Sequence, residues 1–377
     1  MTQPLSNDPI INKLKESKQG VIFFYNLIKS TAIYLVILYH YGTLDIDTIA
    51  STSYSVYFNY FFSGISSIAV PLFFMVNGAL LLNKDYDLKK HLYKIATISI
   101  LFLVWGTITL ATEAPKLGDH YSLSQFVKSV YFTKLGRTNH LWFLLAIIYI
   151  YLLFPMIKAV FDKNDFKLNT YVLGLIFIFT FGIVFLTELL NISGYLLRSN
   201  TLRVVEIQTF VWFNPFNIYF SYSLVYFIIG GWLAKDITAL TVKKSTCTIL
   251  FLLSWLSLFL FGLVKTSLNH NVYNTVYSGY DTVMTLVMSI SFFIFSSKIK
   301  IKNPKIEKAI SAVGSNTFGI YFIHVPLGFW LTDFYRKLSV SNYFFFDLCY
   351  AFLLMYLALV VTLGLKKLPL LQRLVKM

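Results

Sequence analysis

Residues 24–39 read FYNLIKSTAIYLVILY, an almost unbroken apolar stretch that carries one charge, Lys29. The apolar run around it covers about 21–44, and roughly 20 such residues as a helix cross the hydrocarbon core of a bilayer. A polar segment with Lys13, Lys15 and Lys18 precedes it. The run is too long for a signal-peptide core and has no small-residue cleavage site after it, so it reads as a retained signal-anchor helix. Nine further runs follow, at about 55–82, 95–112, 140–157, 170–190, 215–234, 246–264, 276–297, 309–331 and 342–365. None shows the alternation of a barrel strand. The expected fold is an all-α polytopic membrane protein with about ten transmembrane helices.

Composition agrees. The 377 residues are 57% hydrophobic and 18% aromatic, with 13% charged and a mean hydropathy of +0.66. Soluble domains carry about 25% charged residues. A water-soluble globule, a disordered chain and a nucleic-acid-binding protein are therefore poor fits. Cys247 and Cys349 both sit in apolar runs, which excludes a disulfide framework and a cysteine zinc site.

The net charge of +15 reads first as topology. The first tail, alternate loops and the last segment hold 22 of the 32 basic residues, against nine on the other side and Lys29 within a span. Cytoplasmic loops are enriched in Lys and Arg, so both termini are expected in the cytoplasm, with anionic lipids as partners of the inner loops. The organisation expected is a cytoplasmic tail over 1–20, a bundle over 21–365 and a basic cytoplasmic tail over 366–377. The outer loops near 113–139 and 191–214 hold short amphipathic stretches such as 121–131. Neither paired broken helices nor an internal repeat, the marks of many transporters, is visible.

Lys29 and His40 are eleven residues apart, 20° past three full helical turns and roughly 16.5 Å along the axis. They share one face, which Asn26 and Thr43 extend and along which Ala32, Ile33 and Val36 are apolar. A charge at depth costs several kcal/mol unless it snorkels, pairs or lines a wet cavity. Lys29 alone fits snorkelling as well as function. With His40 on its face, the stripe predicts a polar cavity crossing much of the bilayer, lined mostly by other helices.

His140 opens the fourth run in NHLWF (139–143), beside Trp142, and His324 lies in FGIYFIHVPL (318–327). Taken alone, His140 is a capping or interfacial residue. The topology nevertheless puts His40, His140 and His324 in the outer half of the bundle. Histidine is the commonest general base, and a carboxylate can hold its tautomer. Glu188 and Asp281 are the carboxylates at that level. No histidine pair has helical ligand spacing, so no metal is expected. On the inner side, KDYDLKKHLYK (84–94) is an ordinary positive-inside loop by charge count. Its Lys90, His91 and Lys94 also suit the phosphates of a cofactor.

These features together resemble the acyltransferase-3 family of integral membrane O-acyltransferases, many of which modify bacterial surface glycans. Lys29 and His40 resemble the family's Arg-x10-His signature. Similar segments are VPLFFMVNGALLL (70–82), NHLWFLLAIIYIYLLFP (139–155), YFIIGGWL (226–233) and TFGIYFIHVP (317–326), and the likeness covers about 21–365. The resemblance implies a ten-helix bundle, an acyl-CoA donor (commonly acetyl-CoA) on the cytoplasmic side, and a hydroxyl of a surface glycan or lipid-linked glycan as acceptor. His40 would be the catalytic histidine, and Lys29 would stabilise the developing oxyanion or bind the polar arm of the donor. By their level in the bundle, and not from the resemblance, His140, Trp142, His324, Glu188 and Asp281 are expected to bind or support substrate. Two departures stand out: the family arginine is Lys29, without the bidentate fork, and the Arg-x-x-Arg after the second helix is His91-x-x-Lys94. The expectation is a multi-pass enzyme of a bacterial cell membrane, with a homodimer compatible. The rival from another class is a transporter or flippase of a glycan or lipid-linked intermediate, working without chemistry.

Overall fold

The computed structural model describes residues 9–42, 54–131, 138–198, 214–216, 220–237 and 240–376. Thr43, at the end of the Lys29–His40 face, lies outside them. The described residues form helices and connecting turns without a strand. In chain order the α-helices are α1 (Pro9–Tyr41), α2 (Tyr54–Ser63), α3 (Ala69–Leu82), α4 (Leu88–Leu117), α5 (Leu123–Tyr131), α6 (Trp142–Asp162), α7 (Phe166–Phe177) and α8 (Ile183–Leu196). Then follow α9 (Tyr222–Lys235), α10 (Lys244–Asn269), α11 (Val283–Ser297), α12 (Pro304–Gly314), α13 (Thr317–Arg336), α14 (Phe344–Lys366) and α15 (Gln372–Val375).

Seven segments among the described residues are long and apolar enough to cross a membrane: Ile22–Tyr41, Tyr54–Leu82, Leu88–Leu117, Asn139–Asp162, Phe166–Leu196, Lys244–Asn269 and Phe344–Lys366. The ten expected from the sequence are not all reached, for physical reasons. Helices α9 and α11 have 14 and 15 residues, about 21–22 Å against a core of ~30 Å. The run expected over 309–331 is two helices, since α12 stops at Gly314 and α13 restarts at Thr317. Helix α13, with 20 residues, has the length to cross, but His324, Pro326 and Asp333 leave it less apolar than the seven. Asn316 in the joint donates to Ala312 O at 2.7 Å and accepts from Lys366 Nζ at 2.5 Å. The polar tail is helical from Pro9 onward and continues into the first span, with proline at the helix start, where its missing N–H costs nothing.

The second span is broken. Between α2 and α3 the chain tightens into a 3-10 turn over Gly64–Ile68, where the small residues Ser63, Gly64, Ser66 and Ser67 leave room for the narrower coil. The fifth span widens instead into a π turn over Ile178–Gly182.

Two spans form the centre. Within the bundle, 56% of the Ile22–Tyr41 window and 72% of the Tyr54–Leu82 window are buried, against 22% for Phe166–Leu196 and for Lys244–Asn269. The last two are therefore peripheral, and their apolar side chains face lipid. Helix α3 meets α9 at backbone contact: a Cβ on Gly78 would stand 1.8 Å from Phe227 O, and one on Gly230 would stand 2.1 Å from Met75 O. Without water, membrane helices gain by such close packing over small residues. Two of the segments that resemble the family pattern, 70–82 and 226–233, are the two sides of this contact.

Candidate active site

His40 stands in the last turn of α1, exposed to a cavity of about 480 Å³. That volume lies within the ~300–1,000 Å³ usual for small-molecule sites. The walls come from distant parts of the chain. Val36, Tyr39 and Tyr41 belong to α1, Ser66 to the 3-10 break, and Ala69, Val70 and Phe73 to the start of α3. Asn139, His140, Trp142 and Phe143 come from the start of the fourth span, Asn274, Tyr277 and Tyr280 from the connection before α11, and Tyr321 and Val325 from α13. A second cavity of about 240 Å³, lined by Tyr60, Ser63 and Thr275, shares Tyr39, His40, Asn274 and Val276 with the first. His40 thus sits where two compartments meet. The polar lining comes mainly from other helices, as expected. Trp142 contributes an aromatic wall, stacked on Phe220 and edge-on to Tyr277.

Hydrogen bonds between side chains and backbone fix this wall. Tyr41 Oη donates to Val325 O at 2.8 Å, Tyr321 Oη to His140 O at 2.6 Å, and Asn274 Nδ2 to Tyr39 Oη at 2.6 Å. Asn274 Oδ1 also accepts from the Val276 and Tyr277 amides, an Asx turn that shapes the loop. Arg336 Nη2 donates to Tyr41 O at 3.0 Å. That carbonyl ends α1, where cations are favoured.

The structure brings His40, His140, Trp142 and His324 together. His324 is fully buried on α13, with its ring centroid 5.7 Å from that of His40. The other candidates lie elsewhere. The Glu188 carboxylate is taken by Lys265, with contacts of 2.7 and 2.9 Å, and orients no imidazole. Asp281 sits just before α11, half-buried, where burial and the nearby Glu188 charge push its carboxyl up to about 6.

Lys29 does not line the cavity. Between it and Val36 stand Ala32 and Ile33, both fully buried, so the expected polar cavity does not run along this face to Lys29. Apolar packing there leaves no room for water. Among the described residues Lys29 has no hydrogen-bonding or ionic partner. Its neighbour Ser30 ties α1 to α12 through Ile310 O at 2.8 Å. Lys90 is exposed and pairs with Asp87 at 3.3 Å. His91 is buried, with Nε2 on Tyr151 O at 2.8 Å. Lys94 Nζ lies over the Tyr151 ring, 5.0 Å from its centroid. Of this trio, only Lys90 and Lys94 keep a cationic group that a ligand could use.

Two residues near the site escape the sequence reading. Glu113 is buried on α4 within electrostatic reach of Tyr41. It falls one residue beyond the expected end of the third run. Arg336 reads as an outer-loop charge in the sequence. Among the described residues, no three His, Cys, Asp or Glu side chains converge as a metal site would need.

The sequence model of a family described as an acyltransferase domain matches residues 22–364, nearly the whole chain. No curated protein and no solved structure gives a significant match.

Proposed function

The chain belongs to this acyltransferase family, and from that premise we propose an O-acyltransferase of a bacterial cell membrane that moves an acyl group, acetyl first among them, from cytoplasmic acyl-CoA to a hydroxyl of a surface glycan or glycolipid. His40 is the general base. It takes the proton of the acceptor hydroxyl as the oxygen attacks the thioester carbonyl; the C–O bond forms, the C–S bond breaks, and the thiolate of CoA receives the proton. General base catalysis of this kind contributes typically 10²–10⁴-fold.

The observation that carries this reading is the position of the His40 ring, exposed at the junction of two cavities, as a reaction between two substrates requires. Trp142 and His140 line the acceptor side. Lys29, about 16.5 Å deeper along α1 and outside both cavities, is too far from His40 to meet the oxyanion. Its role is to hold the polar arm of the donor, which requires the packing at Ala32 and Ile33 to open when the donor binds. Lys90 and Lys94 meet the CoA phosphates at the cytoplasmic face, where both termini lie.

The test is acyl transfer to membrane glycan by His40→Ala. A loss of 10²-fold or more is expected, and wild-type activity in a folded variant would overturn the role. The break at Gly64–Ile68 beside the cavity favours a second reading, transport of a glycan without chemistry. Ligands that bind the native state raise thermal stability. Stabilisation of the purified protein by acetyl-CoA supports the enzyme, and no shift at saturating CoA supports transport.

A further inference from the structure

His324 is among the most deeply buried polar side chains of the bundle, with no exposed surface. Its Nδ1 lies 3.3 Å from Ile320 O. A carbonyl only accepts, so Nδ1 carries the ring proton and Nε2 presents a lone pair. That Nε2 is buried without a hydrogen-bond partner, a state that native interiors rarely keep without a functional reason. The His40 ring lies 5.7 Å from the His324 ring, tilted by 44°. His40 itself makes no hydrogen bond to a described residue. Two bonds on either side hold α13 in place at this point: Tyr41 Oη to Val325 O, and Tyr321 Oη to His140 O.

Resting on the assignment of His40 as base, we propose that His324 is its positioning residue, whose Nε2 accepts the second N–H of the His40 imidazolium while the acceptor's proton is held there. The proton passes from the acceptor hydroxyl to His40 and then to the departing thiolate, and His324 gains and loses none. It does with a neutral lone pair what a carboxylate does in other triads, orienting the ring and fixing its tautomer. Catalytic hydrogen bonds are often long in an empty site and tighten when substrate arrives.

The titratable and charged groups around the pair are Tyr39 and Tyr41 on α1, Tyr60 on α2, Glu113 on α4, His140 before α6, Tyr277 and Tyr280 before α11, and Tyr321 and Arg336 on α13. Of these, Glu113 reaches Tyr41 and Arg336 reaches the Tyr41 carbonyl. No carboxylate among the described residues bonds either imidazole.

The experiment compares His324→Ala, His324→Gln and His40→Ala as full-length protein in membranes, with kcat, KM and the pH profile of kcat as readouts. His324→Ala should lose about 10²-fold in kcat with KM little changed, and its kcat–pH midpoint should move. His324→Gln, whose amide oxygen can accept the same N–H, should recover part of the loss. A folded His324→Ala with wild-type kcat and midpoint, beside a dead His40→Ala, overturns the pairing alone; activity in both overturns the base. Should neither His324 variant fold, ¹⁵N-histidine NMR of the wild-type protein reads the tautomer directly. Nδ1–H at His324 supports the pairing, and Nε2–H refutes it.

Discussion

His91 Nε2 donates to Tyr151 O at 2.8 Å, and that oxygen is the one that Pro155, four residues on within the same helix, leaves without its helical N–H. Proline in a helix interior removes the bond to the carbonyl four residues back. In a membrane bundle no water reaches that carbonyl, so a neighbouring side chain must satisfy it. The His91 ring also stacks on Phe154 at 5.0 Å, which anchors α4 to α6. His91→Ala should therefore cost about 1–3 kcal/mol through the orphaned carbonyl. In a Pro155→Ala background the helix supplies its own N–H, and the same change should cost about half as much. Thermal unfolding of the four proteins of this double-mutant cycle measures the coupling. Equal costs in both backgrounds would show that the bond contributes nothing.

Much of the bundle is legible in the sequence because lipid imposes long apolar runs, and the Lys29–His40 spacing is legible because helical geometry is regular. The site walls are not. Asn274, Tyr277, Trp142 and Tyr321 meet at His40 only through packing, and no periodicity in one chain states which helices touch. The segments 70–82 and 226–233 carry a family likeness whose physical content, the close approach of Gly78 to Phe227 O, needs the three-dimensional partner. The end of α4 misleads for a local reason. Glu113 and Pro115 resemble the start of a loop, yet the helix runs to Leu117 and stops at Gly118 with φ 67°. The left-handed glycine is the true terminator, and extending the helix to it places Glu113 inside the protein beside Tyr41.

Arg336 joins the end of α1 to α14. One nitrogen donates to Tyr41 O at 3.0 Å, and the other lies 3.7 Å from Asp347 Oδ1, which also accepts from Tyr335 Oη at 2.9 Å. Asp347 is 1% exposed and Arg336 32%. Removing the cation leaves the buried carboxylate its Tyr335 hydrogen bond but no countercharge, which costs ~3–5 kcal/mol in a fully buried pair and less here through partial solvent screening. Arg336→Ala should lower stability by about 2–3 kcal/mol and reduce kcat by loosening the turn that carries His40. Adding Asp347→Asn should return most of the stability without restoring kcat, since the Tyr41 carbonyl still lacks its donor. Unfolding and single-turnover measurements on the same preparations separate the two effects. Full recovery of activity in the double variant would show that Arg336 acts only on Asp347.

Asp281 makes stability depend on pH in the opposite direction to a salt-bridged carboxylate. Burial first, and then the Glu188 charge, raise its carboxyl from 3.8 to about 6. The native state therefore binds the proton more tightly than the unfolded chain, and stability falls as pH rises through the interval between the two values. The contribution is fully present below about pH 4 and gone above about pH 6. At ~1.4 kcal/mol per unit, reduced by the solvent that reaches this half-buried group, the swing is about 1–3 kcal/mol. Asp281→Asn keeps the shape and removes the charge, so its melting temperature should exceed that of the wild type at pH 8. The advantage should shrink towards pH 4. Lys265 pairs with Glu188, so Lys265→Met frees a second negative charge beside Asp281 and should steepen the wild-type decline. A melting temperature of Asp281→Asn that tracks the wild type at every pH from 4 to 8 would show that this carboxyl is solvated in the native protein.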